Sequence, residues 1–199
     1  MKIIVIGATG TIGRAVAEAL ATEHEVVRAS RRGDVKVDIE DPRSIEALFQ
    51  RVKDVDAVVS CAGDGRFVPL AQLTDDDIAY SLRNKLMGQV NVIRQALRSV
   101  RQAGSVTVTS GVLAQRPMPG GAAISMVNAG LEGFVRGAAA EAPRGVRVNA
   151  VSPPWIRETL IALRMDPSQG LPAVAVARAY VAAVTGTSNG ATLDPAAFA

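Results

Sequence analysis

Ser110 is of a residue type, and lies at a position in the sequence, that could serve a chemical reaction. It follows the strand-like run SVTVT and begins a loop rich in glycine and proline, GVLAQRPMPGG, after which a helical pattern begins near residue 121. A serine hydroxyl at the mouth of such a loop can donate a hydrogen bond to a substrate carbonyl oxygen. Because an unactivated hydroxyl is a weak acid, the sequence predicts a serine that holds a carbonyl and leaves the proton donor to other residues.

A glycine-rich segment, GATGTIG, follows the apolar run KIIVI and leads into a helical pattern. This arrangement leaves free backbone N–H groups at the positive end of a helix dipole, where an anion is favoured. Gly7 permits the sharp turn, Gly10 lets a pyrophosphate approach the backbone, and Gly13 lets helix and strand pack closely. A purely structural glycine turn is the alternative. The residues predicted to bind a dinucleotide here are Gly7, Thr9, Gly10, Thr11, Ile12 and Gly13.

The end of the second strand-like run indicates which dinucleotide would bind. NAD-binding sites usually carry Asp or Glu at this position to hold the ribose hydroxyls. This chain has Ser30 there, followed by Arg31. An acid would repel a 2′-phosphate, whereas serine and arginine can hydrogen-bond and neutralise it. The sequence therefore predicts NADP(H) as the cofactor, with an ordinary basic loop as the alternative.

The composition excludes several other functions. The single cysteine, Cys61, rules out an internal disulfide and a multi-cysteine zinc site, and the single histidine, His24, argues against a histidine-based triad. A formal charge of +3 is too mild and dispersed to indicate nucleic-acid binding. With neither a signal peptide nor an apolar run of membrane-spanning length, we expect a cytoplasmic protein that has no metal site and binds no membrane.

Short apolar runs alternate with helical patterns along the whole chain. Strands separated by helices indicate βαβ units and a parallel sheet that is buried on both faces. We therefore predict one doubly wound α/β domain over residues 1–199, a Rossmann fold with three α/β/α layers and a small lid near 155–172. The predicted strands are 2–6, 25–29, 35–37, 56–60, 105–109, 147–151 and 191–193, and the predicted helices are 12–22, 42–53, 76–102, 121–141 and 171–185.

Three further segments resemble motifs of the short-chain dehydrogenase/reductase family, and the resemblance extends over nearly the whole chain. Val37-Asp38-Ile39 is similar to the segment that contacts adenine, and Ser60-Cys61-Ala62-Gly63 to the element that borders the cofactor ribose. The run from Val148 to Arg157 resembles the turn that presents backbone groups to the nicotinamide carboxamide, with Pro154 in place of a glycine and Glu158 in place of a threonine. The resemblance thus implies cofactor contacts at Asp38, Ile39, Ala62, Gly63, Pro153 and Ile156. It also implies that Cys61 is a small packing residue, with a redox or nucleophilic centre as the alternative.

The same resemblance implies an altered proton-transfer site. Ser110 matches the family serine, but Ile124 and Asn128 stand where the family has a tyrosine and a lysine. Lys85 stands at the position of a relay asparagine on the long central helix, so lysine and asparagine are exchanged between the two helices. The alternative is an ordinary surface or packing lysine. Neither tyrosine of the chain fills the gap, since Tyr180 lies far along the chain and Tyr80 is expected to face away from Lys85.

Two functions follow from these residues. The working interpretation is an NADP(H)-dependent oxidoreductase that transfers hydride to or from a small carbonyl compound, alcohol or activated alkene, with Ser110, Lys85 and Asn128 as its catalytic residues. The alternative is a catalytically inactive NADP(H)-binding sensor or scaffold. A homodimer or homotetramer paired through the helices near 76–102 and 121–141 is also expected, unless the small residues of the second helix pack only against their own sheet.

Overall fold

A single seven-stranded parallel sheet forms the centre of the computed structural model, which describes residues 1–198. Its strand order is β3-β2-β1-β4-β5-β6-β7, so the chain reverses its direction of winding between β1 and β4. This arrangement confirms the predicted doubly wound α/β class. The strands are β1 (Lys2–Ile6), β2 (Glu25–Ser30), β3 (Val35–Lys36), β4 (Ala57–Ser60), β5 (Ser105–Thr109), β6 (Arg147–Val151) and β7 (Thr192–Leu193).

Helices cover both faces of the sheet because its strands alternate apolar side chains between the two sides. On β1, Ile4 and Ile6 belong to one apolar cluster, whereas Ile3 and Val5 belong to the other. The helices are α1 (Thr11–Leu20), α2 (Pro42–Arg51), α3 (Asp75–Ser81), α4 (Gly88–Ser99), α5 (Ala122–Glu141), α6 (Arg157–Ala162) and α7 (Ala173–Thr185).

The predicted helix 76–102 is interrupted by a π-helical segment, Leu82–Met87, between α3 and α4. Such segments occur often at functional sites, because they turn side chains out of the regular helical register. Here the segment contains Asn84 and Lys85, and both side chains hydrogen-bond to loops at the carboxyl edge of the sheet.

The predicted lid, residues 155–172, consists of α6 and a short turn before α7. A parallel bridge between Ile156 and Leu171 closes its base. Both carboxylate oxygens of Glu158 accept from the backbone N–H of Ala173, at 3.1 and 3.0 Å, at the start of α7. Glu158 therefore caps the N-terminus of α7, where the N-cap residue Pro172 has no side-chain acceptor.

Helix α5 combines a buried and an open face. Ala138 packs in the core, while a side chain at Gly137 would meet no atom within 4 Å. The small residues of α5 thus serve packing against the sheet and also leave a smooth outer surface.

Within residues 1–198, no helix has the length and apolarity needed to cross a membrane.

Candidate active site and cofactor groove

A groove of about 400 Å³ lies at the carboxyl edge of the sheet, beside the point where the strand order reverses. This is the place where doubly wound sheets bind ligands. It brings together nine of the predicted cofactor residues, namely Gly7, Thr9, Gly10, Ser30, Arg31, Asp38, Ile39, Ala62 and Gly63. Its other lining residues are Ile6, Arg32, Val37, Cys61, Asp64 and Asn84.

The glycine loop has the close backbone contacts that its sequence indicates. Gly7 has a φ of +82°, which side chains rarely adopt. A Cβ atom on Gly13 would lie 2.1 Å from the carbonyl oxygen of Gly7, so only glycine allows α1 to start this close to the loop. Thr11, Ile12 and Gly13 form the first turn of α1 and do not line the groove themselves. The loop therefore leaves an open cradle for a pyrophosphate at the helix N-terminus.

The adenosine end of the groove is basic and contains an unsatisfied hydroxyl. Ser30 is 6 % exposed, and its Oγ atom has no hydrogen-bond partner in the described part of the chain. Arg31 and Arg32 line the groove next to it. A buried hydroxyl without a partner and two guanidinium groups fit the ribose 2′-phosphate of NADP(H).

Replacing Arg31 with Ala tests this assignment. We expect the Kd for NADPH to rise about 10- to 100-fold, because one charge-assisted contact to phosphate is lost. The Kd for NADH should change less than about two-fold, since NADH has no 2′-phosphate. Fluorescence titration measures both, with Arg28→Ala as the control because Arg28 is exposed and does not line the groove. Equal weakening of both nucleotides would contradict the assignment.

Asn84 connects the two walls of the groove. Its side-chain oxygen accepts from the backbone N–H of Asp64 at 2.6 Å, and its amide nitrogen donates to the carboxylate of Glu40. Asp64 also accepts from the Tyr80 hydroxyl at 3.1 Å. Tyr80 therefore contacts a groove-lining residue, whereas Lys85, in the π-helical segment, contacts the end of β5.

Lys85 lies next to the groove-lining residues Gly63 and Asn84, between the segment after β4 and the end of β5. Its Nζ atom donates to the backbone carbonyl of Ser110 at 3.2 Å. A Cβ atom on Gly63 would lie 3.4 Å from the Cα atom of Lys85, so the two segments pack closely. Burial lowers the pKa of Lys85 to about 8, although the nearby Asp64 raises it. The lysine is thus a partly buried cation beside the residues that line the groove.

The depressed pKa of Lys85 has a stability consequence. The Lys85 amine has a pKa of 10.5 in the unfolded chain and of about 8 in the folded chain. Below pH 8 the amine is charged in both states, and its desolvation on folding therefore costs part of the free energy of unfolding. This cost is relieved as the pH rises from about 8 to 10.5. We therefore expect Lys85→Met to raise the free energy of unfolding by about 2–3 kcal/mol at pH 7, and by progressively less above pH 8. Urea unfolding at pH 7 and pH 9.5 measures this, with the exposed Lys53→Met as control; a gain independent of pH would contradict it.

The structure directs the Ser110 hydroxyl away from the groove. Ser110 is 2 % exposed, and its Oγ atom donates to Glu132 on α5 at 2.6 Å. The other carboxylate oxygen of Glu132 accepts from the side-chain amide of Gln115. Ser110 therefore contributes its backbone carbonyl, which accepts a hydrogen bond from Lys85. Its hydroxyl does not face a substrate, which differs from the prediction made from the sequence.

Ile124 and Asn128 lie on α5 near the same strand end. A Cβ atom on Gly65 would lie 3.2 Å from Ile124, so this apolar side chain packs against the loop after β4. Asn128 is 2 % exposed and donates to the backbone carbonyl of Gly111 at 3.3 Å. Its side-chain oxygen is buried and has no hydrogen-bond partner within residues 1–198.

Cys61 and Tyr180 form part of the sheet packing beneath the groove. Burial raises the pKa of the Cys61 thiol to about 12, which favours a packing role over a nucleophilic one. Tyr180 is fully buried, and its hydroxyl shares a 2.7 Å hydrogen bond with Thr109. Burial also raises the pKa of Tyr180 well above its usual value, so this tyrosine stays neutral.

The segment after β6 does not line the groove. The carbonyl of Pro153 accepts from the backbone N–H of Val112 at 3.0 Å, and Ile156 is buried in the core that α7 covers. Pro153 and Ile156 are thus not among the predicted cofactor residues that the groove brings together. Within residues 1–198, no group of three or more His, Cys, Asp or Glu side chains is arranged to hold a metal ion.

The parallel sheet and the glycine loop at its switch point define a dinucleotide-binding protein of the Rossmann class. A sequence profile of the family described as enoyl-(acyl carrier protein) reductase matches residues 5–188. The chain therefore belongs to the short-chain dehydrogenase/reductase family of oxidoreductases.

Individual relatives support the same family. The chain is 27 % identical over 175 residues to 3-oxoacyl-[acyl-carrier-protein] reductase of Mus musculus, a match that spans 77 % of this chain and 74 % of that protein. It is similar to the crystal structure of the protein lin1944 of Listeria innocua, with a TM-score of 0.93, 38 % identity and 98 % of both chains covered. A small-chain dehydrogenase in complex with NADPH has a TM-score of 0.86 and 25 % identity, and the match covers 98 % of this chain and 95 % of that one.

Proposed function

We propose that this protein is an NADP(H)-dependent oxidoreductase that reduces a small carbonyl compound or an activated alkene, or oxidises the corresponding alcohol. The observation that carries the proposal is a partly buried lysine, Lys85, that packs against Gly63 of the groove lining and donates to the Ser110 carbonyl. The family assignment and the NADPH-bound structural relative support it.

The residues of the groove fit the adenosine half and the pyrophosphate of NADP(H). Gly7 and Gly10 leave room for the pyrophosphate, Ser30 and Arg31 suit the 2′-phosphate, and Asp38 can accept from the adenine amino group. When bound, the cofactor supplies or accepts the hydride.

Lys85 is the proton donor of this proposal. With a pKa of about 8, its Nζ atom is mostly protonated at pH 7 and can release a proton more readily than an ordinary lysine. In reduction, Nζ gives its proton to the substrate oxygen or carbon that becomes basic, and then regains one from solvent. The hydrogen bond to the Ser110 carbonyl orients the amine.

The first test is NADPH oxidation by the purified protein with a panel of ketones, aldehydes and activated alkenes. We expect turnover above the substrate-free rate with at least one class, and weaker turnover with NADH. Fluorescence titration of NADPH binding is measured on the same sample. Tight NADPH binding without turnover across the panel would contradict the enzymatic proposal.

That outcome would support the second candidate, a non-enzymatic NADP(H) sensor. Two observations favour this alternative: Ile124 packs at the position where the family tyrosine is expected, and the Ser110 hydroxyl is bonded to Glu132. A sensor would instead require that NADPH change the affinity for a partner protein.

A further inference from the structure

Glu132 is a buried carboxylate in the middle of α5. It is 5 % exposed and lies one helical turn after Asn128, on the buried face of the helix. Its two oxygens accept from neutral donors, the Ser110 hydroxyl at 2.6 Å and the Gln115 amide. A buried acid costs desolvation free energy, so its place here calls for a role beyond filling space.

Ser110 is held on three sides. Its backbone N–H donates to Val151 of β6 at 2.9 Å, its hydroxyl donates to Glu132, and its backbone carbonyl accepts from Lys85 Nζ. Only the first of these contacts belongs to the sheet. Ser110 is the first residue after β5, so its side chain is fixed by the short contact to Glu132 and by a longer one, at 3.4 Å, to the backbone carbonyl of Asn128.

We propose that Glu132 is a positioning residue for Lys85, acting through Ser110. The carboxylate is a strong acceptor that holds the Ser110 hydroxyl, and it thereby fixes the direction of the Ser110 carbonyl that receives the Lys85 hydrogen bond. Gln115 holds the carboxylate in turn. This inference rests on the proposed function, in which Lys85 is the proton donor, but the contact itself is testable without turnover.

Two variants separate geometry from charge. Glu132→Gln keeps an acceptor oxygen for Ser110 and removes the negative charge, and the Gln115 amide can rotate to present its own oxygen to the new amide nitrogen. Glu132→Leu removes both the acceptor and the charge at similar volume. Ser110→Ala removes the hydroxyl from the other side of the same contact. The groups that act on the Lys85 charge from the segment after β4, Asp64 and Cys61, are unchanged in all three variants.

The direct experiment is an NMR titration of the lysine side chains, labelled with ¹³C at Cε. Lys85 is one of four lysines, with Lys2, Lys36 and Lys53, and its signal is assigned by its loss in Lys85→Met. We expect Glu132→Leu and Ser110→Ala to lower the pKa of Lys85 by roughly half a unit or more, because the ammonium loses a well-placed acceptor. Glu132→Gln should leave it within about 0.2 units of wild type.

Turnover supplies the second measurement. Glu132→Leu should lower kcat about 10-fold, while the Kd for NADPH stays within about two-fold, and Glu132→Gln should restore kcat. Thermal unfolding shows whether each variant is folded. If Glu132→Leu does not fold, Ser110→Ala takes its place as the variant that breaks the Ser110–Glu132 contact. An unchanged Lys85 titration in both Glu132→Leu and Ser110→Ala would overturn the positioning role. A shifted titration in a protein without turnover would instead support the positioning role and refute the proposed function.

Discussion

Lys85→Met is expected to lower kcat for NADPH-dependent reduction by about 10²- to 10⁴-fold, the usual contribution of a general acid. Methionine is similar in length to lysine but carries no proton, and it cannot hydrogen-bond to the Ser110 carbonyl. Steady-state kinetics with the best substrate of the panel measures the effect. The exposed Lys53→Met is the matched control, and we expect its kcat to equal that of wild type.

The pH profile of the wild-type protein gives an independent result for the same residue. If Lys85 donates the proton, kcat/KM for reduction should be constant below its pKa of about 8 and fall tenfold per pH unit above it. In the oxidation direction the dependence is reversed, because the neutral amine must accept a proton. A reduction profile that stays flat to pH 10, or a kcat for Lys85→Met close to wild type, would show that the proton comes from solvent or substrate.

Much of the cofactor site could be predicted from sequence because its signals are local. The glycine loop lies between a strand and a helix whose periodicities are plain, and parallel strands bring their carboxyl ends to one edge. The residues after β2, β3 and β4 therefore meet the loop even though they are far apart along the chain. Nine of the predicted cofactor residues do line the groove.

The candidate catalytic residues were harder to predict than the cofactor residues, because their roles depend on the direction in which each side chain points. Ser110 continues the alternation of β5, in which Val106 and Val108 belong to the apolar cluster that α4 and α5 cover, so strand periodicity directs its hydroxyl to that side of the sheet. Glu132 could also have been identified, since it follows Asn128 by four residues on the buried stripe of α5. The π-helical segment that contains Asn84 and Lys85 is not revealed by the sequence pattern, which predicts one continuous helix there.

Gly13→Ala should abolish measurable NADPH binding, which we place at more than about a 100-fold rise in Kd. The new Cβ atom would lie 2.1 Å from the Gly7 carbonyl oxygen and 2.7 Å from its carbonyl carbon. Both are backbone atoms that cannot rotate away, so α1 must move off the loop. The cradle of N–H groups then loses its geometry. We also expect unfolding to become easier by about 1–3 kcal/mol, as in other overpacked sites.

The matched control is Gly137→Ala, the same substitution inside another helix. A Cβ atom at Gly137 meets nothing within 4 Å, so only the helix propensity changes there. We expect Gly137→Ala to raise the free energy of unfolding by about 0.5–1 kcal/mol and to leave NADPH binding unchanged. Fluorescence titration and urea unfolding of both variants make the comparison. If Gly13→Ala bound NADPH like wild type, the glycine loop would not be the pyrophosphate site, and the groove would have to bind its ligand through the other strand ends alone.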